Sequence, residues 1–343
     1  MAKAETRPVP PALQKYWNQP LSEFATLGAQ TIAPGQQERY RIYSLLIMGI
    51  VSSQWNGNKY GEIGDYGAWR AGQMLGQTTA GTTIYKGGTY LGHNIAALAV
   101  DGTGRVIDFD FNHDAVFDSA VEHAESRLVR RLFALNNVTA PWDAEDRAAP
   151  PVPQRPGPQY PFDLRDITIY TSLESCAQCS GIMTLASVKE IVYLQRDQGQ
   201  FMIGNMMWNA TQAINEGFYS PRPVPGDQFA LPYFDQLNEG SDAFDARVAA
   251  EPFFKSPTMT SNTPLITSFL CTDSAAGIFA AAANELTTMV VQYPDYAPAS
   301  NPPSTPAGSP AQQPLTNAQA LNCVRDFYSY ILELDNRGTA HRV

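Results

Sequence analysis

The feature that most constrains this chain of 343 residues is a pair of short motifs that must meet although about fifty residues separate them. The first is His123-Ala-Glu125 and the second is Cys176-Ala-Gln-Cys179. Zinc takes four tetrahedral ligands in proteins, and a catalytic zinc site keeps one of these positions for water. One histidine nitrogen and two thiolates therefore make a complete catalytic set, and a carboxylate beside them can carry protons. The sequence predicts one zinc ion per chain, with Glu125 as the catalytic acid and base.

The spacing of the cysteines supports this interpretation. Cys176 and Cys179 stand at i and i+3, so they share one face of a helix. At the N-terminus of that helix, the free amides and the helix dipole favour the thiolate form that zinc requires. The chain has four cysteines, too few for a disulfide framework at this length. We expect the other two, Cys271 and Cys323, to be buried and inert.

The composition is that of a globular protein. The sequence is 44% apolar and 16% charged, which excludes disorder over the whole chain. The apolar run from Leu45 to Val51 is interrupted by Gly49 and is too short to cross a bilayer, and the N-terminus lacks the apolar core of a secretion signal. We expect a soluble, cytoplasmic protein with no membrane partner. The formal charge of −10 weighs against a surface that grips nucleic acid everywhere, while leaving room for a local basic groove.

The first part of the chain is predicted to form an arm, a buried helix and a loop. Residues 1–37 are proline-rich and are expected to lie on the surface. From Glu38 to Ser53 apolar residues recur near helical spacing, which indicates a largely buried helix. Residues 56–90 are rich in glycine, which favours a long loop with one short helix from Tyr66 to Leu75.

A hairpin and a helix carry the first motif. Asn94–Val100 and Arg105–Phe111 are strand-like runs on either side of Asp101-Gly-Thr-Gly104, whose glycines tolerate the positive φ of a tight turn. A helix is predicted from Val121 to Leu135, with Ser119 as its cap. Both polar residues of the first motif then fall in the first turn of this helix.

Other polar and aromatic side chains near the first motif are predicted to be structural. A loop histidine is more often satisfied by backbone than bound to substrate, and we expect this of His93 and His113, with a substrate contact as the alternative. Trp55 and Trp69 are expected to pack in the core rather than to stack on a ligand. The helix also carries three arginines that helical spacing takes away from its first turn, so we expect a solvated flank and not a phosphate clamp: Arg127, Arg130 and Arg131.

Alternating helices and strands around the second motif predict the fold class. Ile167–Thr171 is a short buried strand that leads into the helix of the cysteines, and Val188–Leu194 is another strand. The order helix, strand, strand, helix, strand, helix, strand predicts an α/β fold of three layers, α-β-α, with a mixed central sheet. The prolines of residues 140–163 mark an inserted loop before the first of these strands.

The last part of the chain is predicted to be helices and proline-rich segments. A helix from Met206 to Ile214 is followed by proline-rich loops to residue 260, and residues 264–293 are predicted to be helical. Residues 294–314 read as an extended, mobile linker. A terminal helix is predicted to begin near Thr316 or Asn317 and to end before Gly338, docking on its own core or on a neighbouring subunit.

The residues around the two motifs resemble a known enzyme family. Thr171-Ser-Leu-Glu-Ser-Cys-Ala-Gln-Cys-Ser-Gly-Ile-Met183, with Val188-Lys-Glu-Ile-Val-Tyr193 and the earlier His123-Ala-Glu125, is similar to the signature of the zinc-dependent cytidine deaminase-like superfamily, H-x-E followed by P-C-x-x-C. The resemblance is strongest to the branch that holds tRNA adenosine, deoxycytidylate and guanine deaminases. It covers residues 38–215, about half of the chain.

The resemblance implies a fold, a cofactor and a set of site residues. The fold is a three-layer, cytidine deaminase-like α/β fold, to which this chain adds proline-rich insertions and C-terminal helices. The zinc ligands implied are His123, Cys176 and Cys179, and the catalytic residue is Glu125. The substrate-binding positions implied are Asn112, Asn94, Ile95 and Ala124. The branch commonly forms dimers or larger assemblies, so we expect a homo-oligomer.

One departure and three regions follow from the same alignment. Where the family has proline before its first cysteine, this chain has Ser175, which loses the fixed φ but can cap the helix or hydrogen-bond nearby. The insertion at 140–163 is expected on the side opposite the metal. The expected regions are an arm of residues 1–37, a deaminase domain of 38–260 with insertions at 56–90 and 140–163, and a helical C-terminal extension of 261–343 with a linker at 294–314.

These observations together predict a zinc-dependent hydrolase that converts an amino-purine or amino-pyrimidine to its oxo form. In this mechanism Glu125 carries the proton to the departing ammonia, Asn112 orients the base or sugar, and backbone amides near Ala124 and Cys176 hold the intermediate. The acidic balance favours a free nucleoside or nucleotide as substrate. DNA or RNA with a single-stranded or extruded base is one alternative. A non-catalytic scaffold that zinc stabilises is the other.

Overall fold

The computed structural model describes ten segments of the chain. They are residues 8–28, 30–55, 74–77, 83–85, 93–114, 119–137, 164–214, 219–250, 266–299 and 313–333. The predictions for the 140–163 insertion, Trp69, most of the 56–90 loop, most of the 294–314 linker and Gly338 lie outside these segments.

Seven strands form two sheets in the described segments. They are β1 (Met74–Gln77), β2 (Thr83–Tyr85), β3 (Ala96–Val100), β4 (Val106–Phe111), β5 (Thr168–Thr171), β6 (Glu190–Tyr193) and β7 (Arg222–Pro225). β1 and β2 pair with each other, and the other five form one sheet in the order β4-β3-β5-β6-β7. β3 runs antiparallel to both of its neighbours, whereas β5, β6 and β7 are parallel. The predicted hairpin and the predicted mixed sheet are confirmed.

Nine α-helices surround the sheets. They are α1 (Leu21–Ala25), α2 (Pro34–Ser53), α3 (Ala124–Asn137), α4 (Ala177–Leu185), α5 (Ile203–Ile214), α6 (Pro232–Ala250), α7 (Ile266–Phe269), α8 (Asp273–Thr288) and α9 (Asn317–Glu333) within the described segments, with short 3-10 helices at Pro11–Tyr16 and Gly226–Phe229. No helix among these is both apolar and long enough to span a membrane.

Neighbouring residues of β5 show why the sheet has a helical layer on each face. Successive side chains of a strand point to opposite faces of the sheet. The ring of Tyr170 lies 5.2 Å from that of Tyr43 on α2, whereas the hydroxyl of Thr171 contacts Glu125 on α3. The helices α2 and α3 therefore cover opposite faces, and the predicted three-layer α-β-α architecture is confirmed.

Helix α2 is the centre of the larger apolar core. It is buried on most of its surface, because the sheet covers one side while α8 and α9 pack against the other. At Gly49 an added Cβ would come within 3.0 Å of the Tyr328 ring of α9, so a side chain here would push the two helices apart. The terminal helix thus docks on the core of its own chain, which decides between the two partners that the sequence left open.

The N-terminal segment lies along α5. Side-chain amides of this helix hold its backbone: Asn205 Nδ2 donates to the carbonyl of Ala25 at 3.0 Å, and Asn209 Nδ2 donates to those of Phe24 and Thr26 at 2.7 and 2.9 Å. These hydrogen bonds attach the segment around α1 to α5.

The prediction of loops from 215 to 260 is wrong for most of its described length. β7 is a strand despite Pro223 and Pro225, because the intervening residues supply the hydrogen bonds to β6; the amide of Arg222 donates to the carbonyl of Lys189 at 3.1 Å. Helix α6 follows, with proline at its first position, where the missing amide costs nothing. Proline content alone therefore misled the reading of this region.

Smaller corrections concern the glycine-rich loop and one cysteine. Met74–Gln77 and Thr83–Tyr85 form an antiparallel pair inside the predicted loop, so the short helix expected to end at Leu75 is wrong at that end. Cys271 is buried, as predicted, but Cys323 is exposed because it lies on the outward side of α9.

Candidate functional site

The two motifs meet beyond the C-terminal end of β5, the central strand of the larger sheet. His123 Nδ1 lies 3.4 Å from the sulfur of Cys176 and 3.8 Å from that of Cys179. The three ligand atoms all lie within 4.8 Å of one another. Bond lengths of about 2.3 Å to sulfur and 2.0–2.1 Å to nitrogen give tetrahedral ligand separations of about 3.5–3.8 Å around zinc. The two nitrogen–sulfur distances are close to these values, so the three side chains could hold one zinc ion.

Two helix N-termini hold these ligands. His123 directly precedes α3, and its carbonyl accepts the amide of Arg127 at 3.0 Å, which starts the helix. Cys176 is the N-cap of α4, and its sulfur accepts the amide of Cys179 at 3.5 Å. Since α3 and α4 pack against each other, both ligand-bearing ends are brought to one place.

The start of α3 differs from the prediction. The helix begins at Ala124 and not at Val121, so Glu125 lies in its first turn but His123 lies just before it. Ser119 does not cap it; the Ser119 carbonyl accepts the amide of Glu122 in a turn that precedes the helix. The capping group comes from another segment, because Asn112 Oδ1 accepts the amide of Ala124 at 2.8 Å.

The two thiols differ in acidity. A hydrogen bond from the Cys179 thiol, together with His123, lowers the pKa of Cys176 to about 4. The same hydrogen bond, with burial, raises the pKa of Cys179 above its ordinary value. Contact with Cys176 raises the pKa of His123. Cys176 is thus the more acidic of the two thiols, which favours its thiolate as a ligand for a metal.

Glu125 is buried beside the three ligands. Its Oε2 accepts a hydrogen bond from the Cys179 sulfur at 3.5 Å, and burial raises the pKa of the carboxyl. Its Oε1 accepts from the hydroxyls of Thr171 and Ser175, at 3.2 and 3.1 Å. Ser175 does not cap α4, because its hydroxyl donates to the Glu125 carboxylate.

The contact made by Thr171 was not predicted from the sequence. A signal for it exists, because a threonine ends an otherwise apolar strand next to the loop of the cysteines. Only the pairing of β5 with its neighbours reveals that this hydroxyl points to α3.

Three of the four predicted substrate contacts are linked to one another. The amide of Asn112 donates to the carbonyl of Ile95 at 3.1 Å, and its Oδ1 accepts from Ala124. All three residues are buried. This chain of hydrogen bonds ties the hairpin to the start of α3, and it engages the Ala124 amide that the sequence had offered to a reaction intermediate.

Asn94 has a different neighbour. Its Nδ2 donates to the carbonyl of Leu270 at 2.9 Å and lies 3.9 Å from the sulfur of Cys271. The side chain therefore contacts the segment between α7 and α8.

The two loop histidines contact backbone or carboxylate groups. His113 Nδ1 lies 2.7 Å from the carbonyl of Phe111, and burial lowers the pKa of this histidine. His93 Nε2 lies 3.6 Å from a carboxylate oxygen of Asp114. These contacts agree with the structural role expected for both.

The expectation of a solvated arginine flank is wrong for two of its three members. Arg127 Nε lies 3.2 Å from Asp110, and Arg131 contacts Asp108 at 2.7 Å, with both arginine side chains largely buried. Only Arg130 has a half-exposed side chain, and it pairs with Glu122. Arg127 and Arg131 neutralise the carboxylates of β4, and Arg130 pairs with Glu122, so none of the three is a free phosphate ligand.

No protein-family model and no curated protein sequence matches this chain. Among solved structures, a tRNA:A34 deaminase studied for A-to-I editing at the wobble position of transfer RNA is 17% identical over 38% of this chain and 82% of that chain, with a TM-score of 0.26. Guanine deaminase from Nitrosomonas europaea is 19% identical over 41% of this chain and 73% of that chain, with a TM-score of 0.24. A structure solved in complex with 2,6-diaminopurine is 19% identical over 41% and 70%, with a TM-score of 0.24. At this level the similarity assigns no activity to this chain.

Proposed function

We propose that this protein is a zinc-dependent hydrolytic deaminase that removes the exocyclic amine of a nucleobase, of adenine or cytosine type. The observation that carries the proposal is the position of Glu125, whose Oε2 lies 3.5 Å from the sulfur of Cys179 inside a cluster of one nitrogen and two sulfur ligands. A purely structural zinc site needs a fourth protein ligand. Here the described residues offer three ligands and a buried proton carrier.

The chain's residues divide the work. His123, Cys176 and Cys179 would hold one zinc ion, which when bound would supply Lewis-acid chemistry and make water nucleophilic near neutral pH. The Glu125 carboxylate accepts the proton of that water and passes it to the amine as ammonia leaves. Its raised pKa, a consequence of burial, suits a group that must both accept and give a proton.

Asn112 supports the placement of the base. Its side chain ends at the N-terminus of α3, one residue from His123, and it is fixed there by the hydrogen bond to the Ala124 amide. We assign to Asn112 the orientation of the base or sugar, and to Ile95 and Ala124 the adjoining wall of the pocket. A substrate contact of Asn94 would be made through its Oδ1, because its Nδ2 donates to the carbonyl of Leu270.

A free nucleoside or nucleotide is the substrate class that we favour. The arginines of α3 are paired with Asp108, Asp110 and Glu122, so they do not offer a positive groove for a phosphate backbone. The formal charge of −10 has the same implication. We further propose that the protein acts as a homo-oligomer, as the resemblance in its sequence implies.

The test is ammonia release combined with metal analysis. Wild type, Glu125→Ala and Glu125→Gln are incubated with nucleosides, mono- and triphosphates, and short single-stranded DNA and RNA. We expect about one zinc per chain in all three proteins and product only with the wild type. The glutamine variant controls for volume, because it keeps the shape of the side chain and loses only the proton-carrying function. Turnover by either variant would contradict the mechanism.

Two other outcomes would redirect the proposal. Product from DNA or RNA alone would assign a polynucleotide substrate. Zinc binding without ammonia release from any substrate would leave the scaffold as the function. The buried Glu125 argues against the scaffold. Burying a carboxylate costs free energy, and a scaffold without catalytic activity would gain nothing from that cost.

A further inference from the structure

Two hydroxyls bond to one and the same oxygen of the Glu125 carboxylate. Both Thr171 Oγ1 and Ser175 Oγ donate to the same oxygen, Oε1, at 3.2 and 3.1 Å. The other oxygen, Oε2, is the one that faces the sulfur of Cys179. The two oxygens of the carboxylate are therefore not equivalent in this site.

We propose that Ser175 is a positioning residue for the proton carrier: its hydroxyl, with that of Thr171, locks the carboxylate so that Oε2 alone faces the metal cluster and the reacting groups. This inference rests on the proposed function of Glu125. It also gives a use to the one residue of the second motif that departs from the deaminase pattern, since proline at this position has no hydroxyl to donate.

The backbone around Ser175 is held by hydrogen bonds that do not involve the Glu125 carboxylate. The amide of Glu174 donates to the carbonyl of Gln195 at 2.8 Å, and the Ser180 hydroxyl donates to the carbonyl of Ser175 at 3.4 Å. Cys176, the next residue, is the cap of α4. The serine hydroxyl is thus presented by a rigid segment, which is what holding a catalytic group in one orientation requires.

The buried setting strengthens the contact. Thr171, Ser175 and Glu125 are 0%, 4% and 3% exposed. A hydrogen bond to a charged group is stronger than one between neutral groups. Loss of one hydroxyl leaves the other in place, so a single substitution should lower kcat by about ten-fold, and the double substitution by about a hundred-fold or more.

Conservative variants distinguish positioning from folding. Ser175→Ala removes the hydroxyl, whereas Ser175→Thr retains it; the added methyl has room, because Ser175 borders a cavity of about 10 Å³, the size of a water molecule. Thr171→Val removes the partner hydroxyl at constant shape. Ser172→Ala is the matched control, since its hydroxyl is equally buried in the same loop but accepts from the amide of Ala96 at 3.1 Å.

The measurements are kcat, KM, zinc content and thermal stability of each variant. We expect Ser175→Ala and Thr171→Val to lower kcat by about ten-fold, with KM and zinc content unchanged. Ser175→Thr should recover most of the lost kcat. Ser172→Ala should lose thermal stability without a loss of kcat. An unchanged kcat in Ser175→Ala, or an equal loss in Ser172→Ala, would overturn the proposal.

A structural measurement separates this inference from the proposed function. In a crystal structure of zinc-loaded Ser175→Ala,Thr171→Val, we expect the Glu125 carboxylate to rotate or to occupy more than one orientation. An unmoved carboxylate would overturn the inference even if the wild type is an active deaminase. If the carboxylate rotates in the double variant but the wild type releases no ammonia, the positioning contacts would be supported and only the proposed function would be contradicted.

Discussion

The side-chain amide of Asn94 donates a hydrogen bond of 2.9 Å to the backbone carbonyl of Leu270, and both residues are buried. Asn94 stands two residues before β3, the strand next to β5, after which the candidate metal-ligating cysteines follow. Leu270 follows α7, in the C-terminal part of the chain. Leu270, far along the chain, thus contacts the residue that leads into β3.

Asn94→Ala is expected to remove this hydrogen bond and to destabilise the protein. The Leu270 carbonyl would lose its partner in a buried setting, which costs about 1–3 kcal/mol. Urea unfolding should report a lower free energy of unfolding, with KM changed less than about two-fold. A large rise in KM at unchanged stability would instead give Asn94 the substrate contact that its sequence position implies.

Asn112 should show two separable effects. Asn112→Ala removes the acceptor that caps α3 through the Ala124 amide, so it should lower stability by about 1 kcal/mol as well as activity. Asn112→Asp keeps an acceptor oxygen at that amide and should keep most of the stability. Both variants lose the amide donor, so both should lose substrate affinity. Equal stability losses in the two variants would show that the contact does not cap the helix.

Zinc binding should depend on Cys179 and not on Cys323. Cys179→Ser is expected to lose the metal and all turnover, because three ligands leave no spare donor. Cys323→Ser is the matched control, since this thiol is exposed on α9. Chelation of the wild type should lower its melting temperature. A metal content that survives Cys179→Ser would disprove the assigned ligand set.

Asp108 should give the stability of the fold a pH dependence of definite sign. Burial raises the pKa of its carboxyl from 3.8 to about 6, against the opposite effect of Arg131. The folded state therefore binds more protons than the unfolded state between these values. The stability from this group is present at low pH and is lost as the pH rises through about 6, by up to about 3 kcal/mol for a shift of this size.

Asp108→Asn removes this term. The difference in unfolding free energy between the variant and the wild type should move in favour of the variant from about pH 4 to pH 7, as measured by urea unfolding at several pH values. Asp227→Asn, which removes a carboxyl that is 40% exposed and paired with Arg196, controls for the loss of a surface ion pair. Parallel pH curves for Asp108→Asn and the wild type would rule out the effect.

Local patterns in the sequence predicted the elements that carry the site. The strand-like runs and the glycine turn of residues 94–111 give β3 and β4, and helical spacing places Glu125 and Cys179 in first turns, because these signals depend on near neighbours in sequence. The arginines of α3 were misread for the opposite reason. Their partners, Asp108 and Asp110, lie on a neighbouring strand, and the pairing is visible only once the layers are assembled.

The contacts of Ser175 and Thr171 with Glu125 depend on tertiary structure in the same way. A serine before a cysteine reads as a helix cap, and its true partner lies fifty residues earlier in the chain. β7 was missed for a related reason. Its prolines are a strong local signal for a loop, but the strand forms because it pairs with β6 in the sheet.

The prolines of β7 also limit how copies of this protein can assemble. β7 is a border strand of the larger sheet, and Arg222 turns its amide inward to β6. The alternate positions, Pro223 and Pro225, face away from β6 and have no amide hydrogen to offer. A strand from another copy would find no donors there, so this border resists sheet extension and open-ended aggregation. An oligomer of this protein would therefore keep its subunits' sheets separate at β7, and any sheet pairing between copies would have to use another border, such as β4.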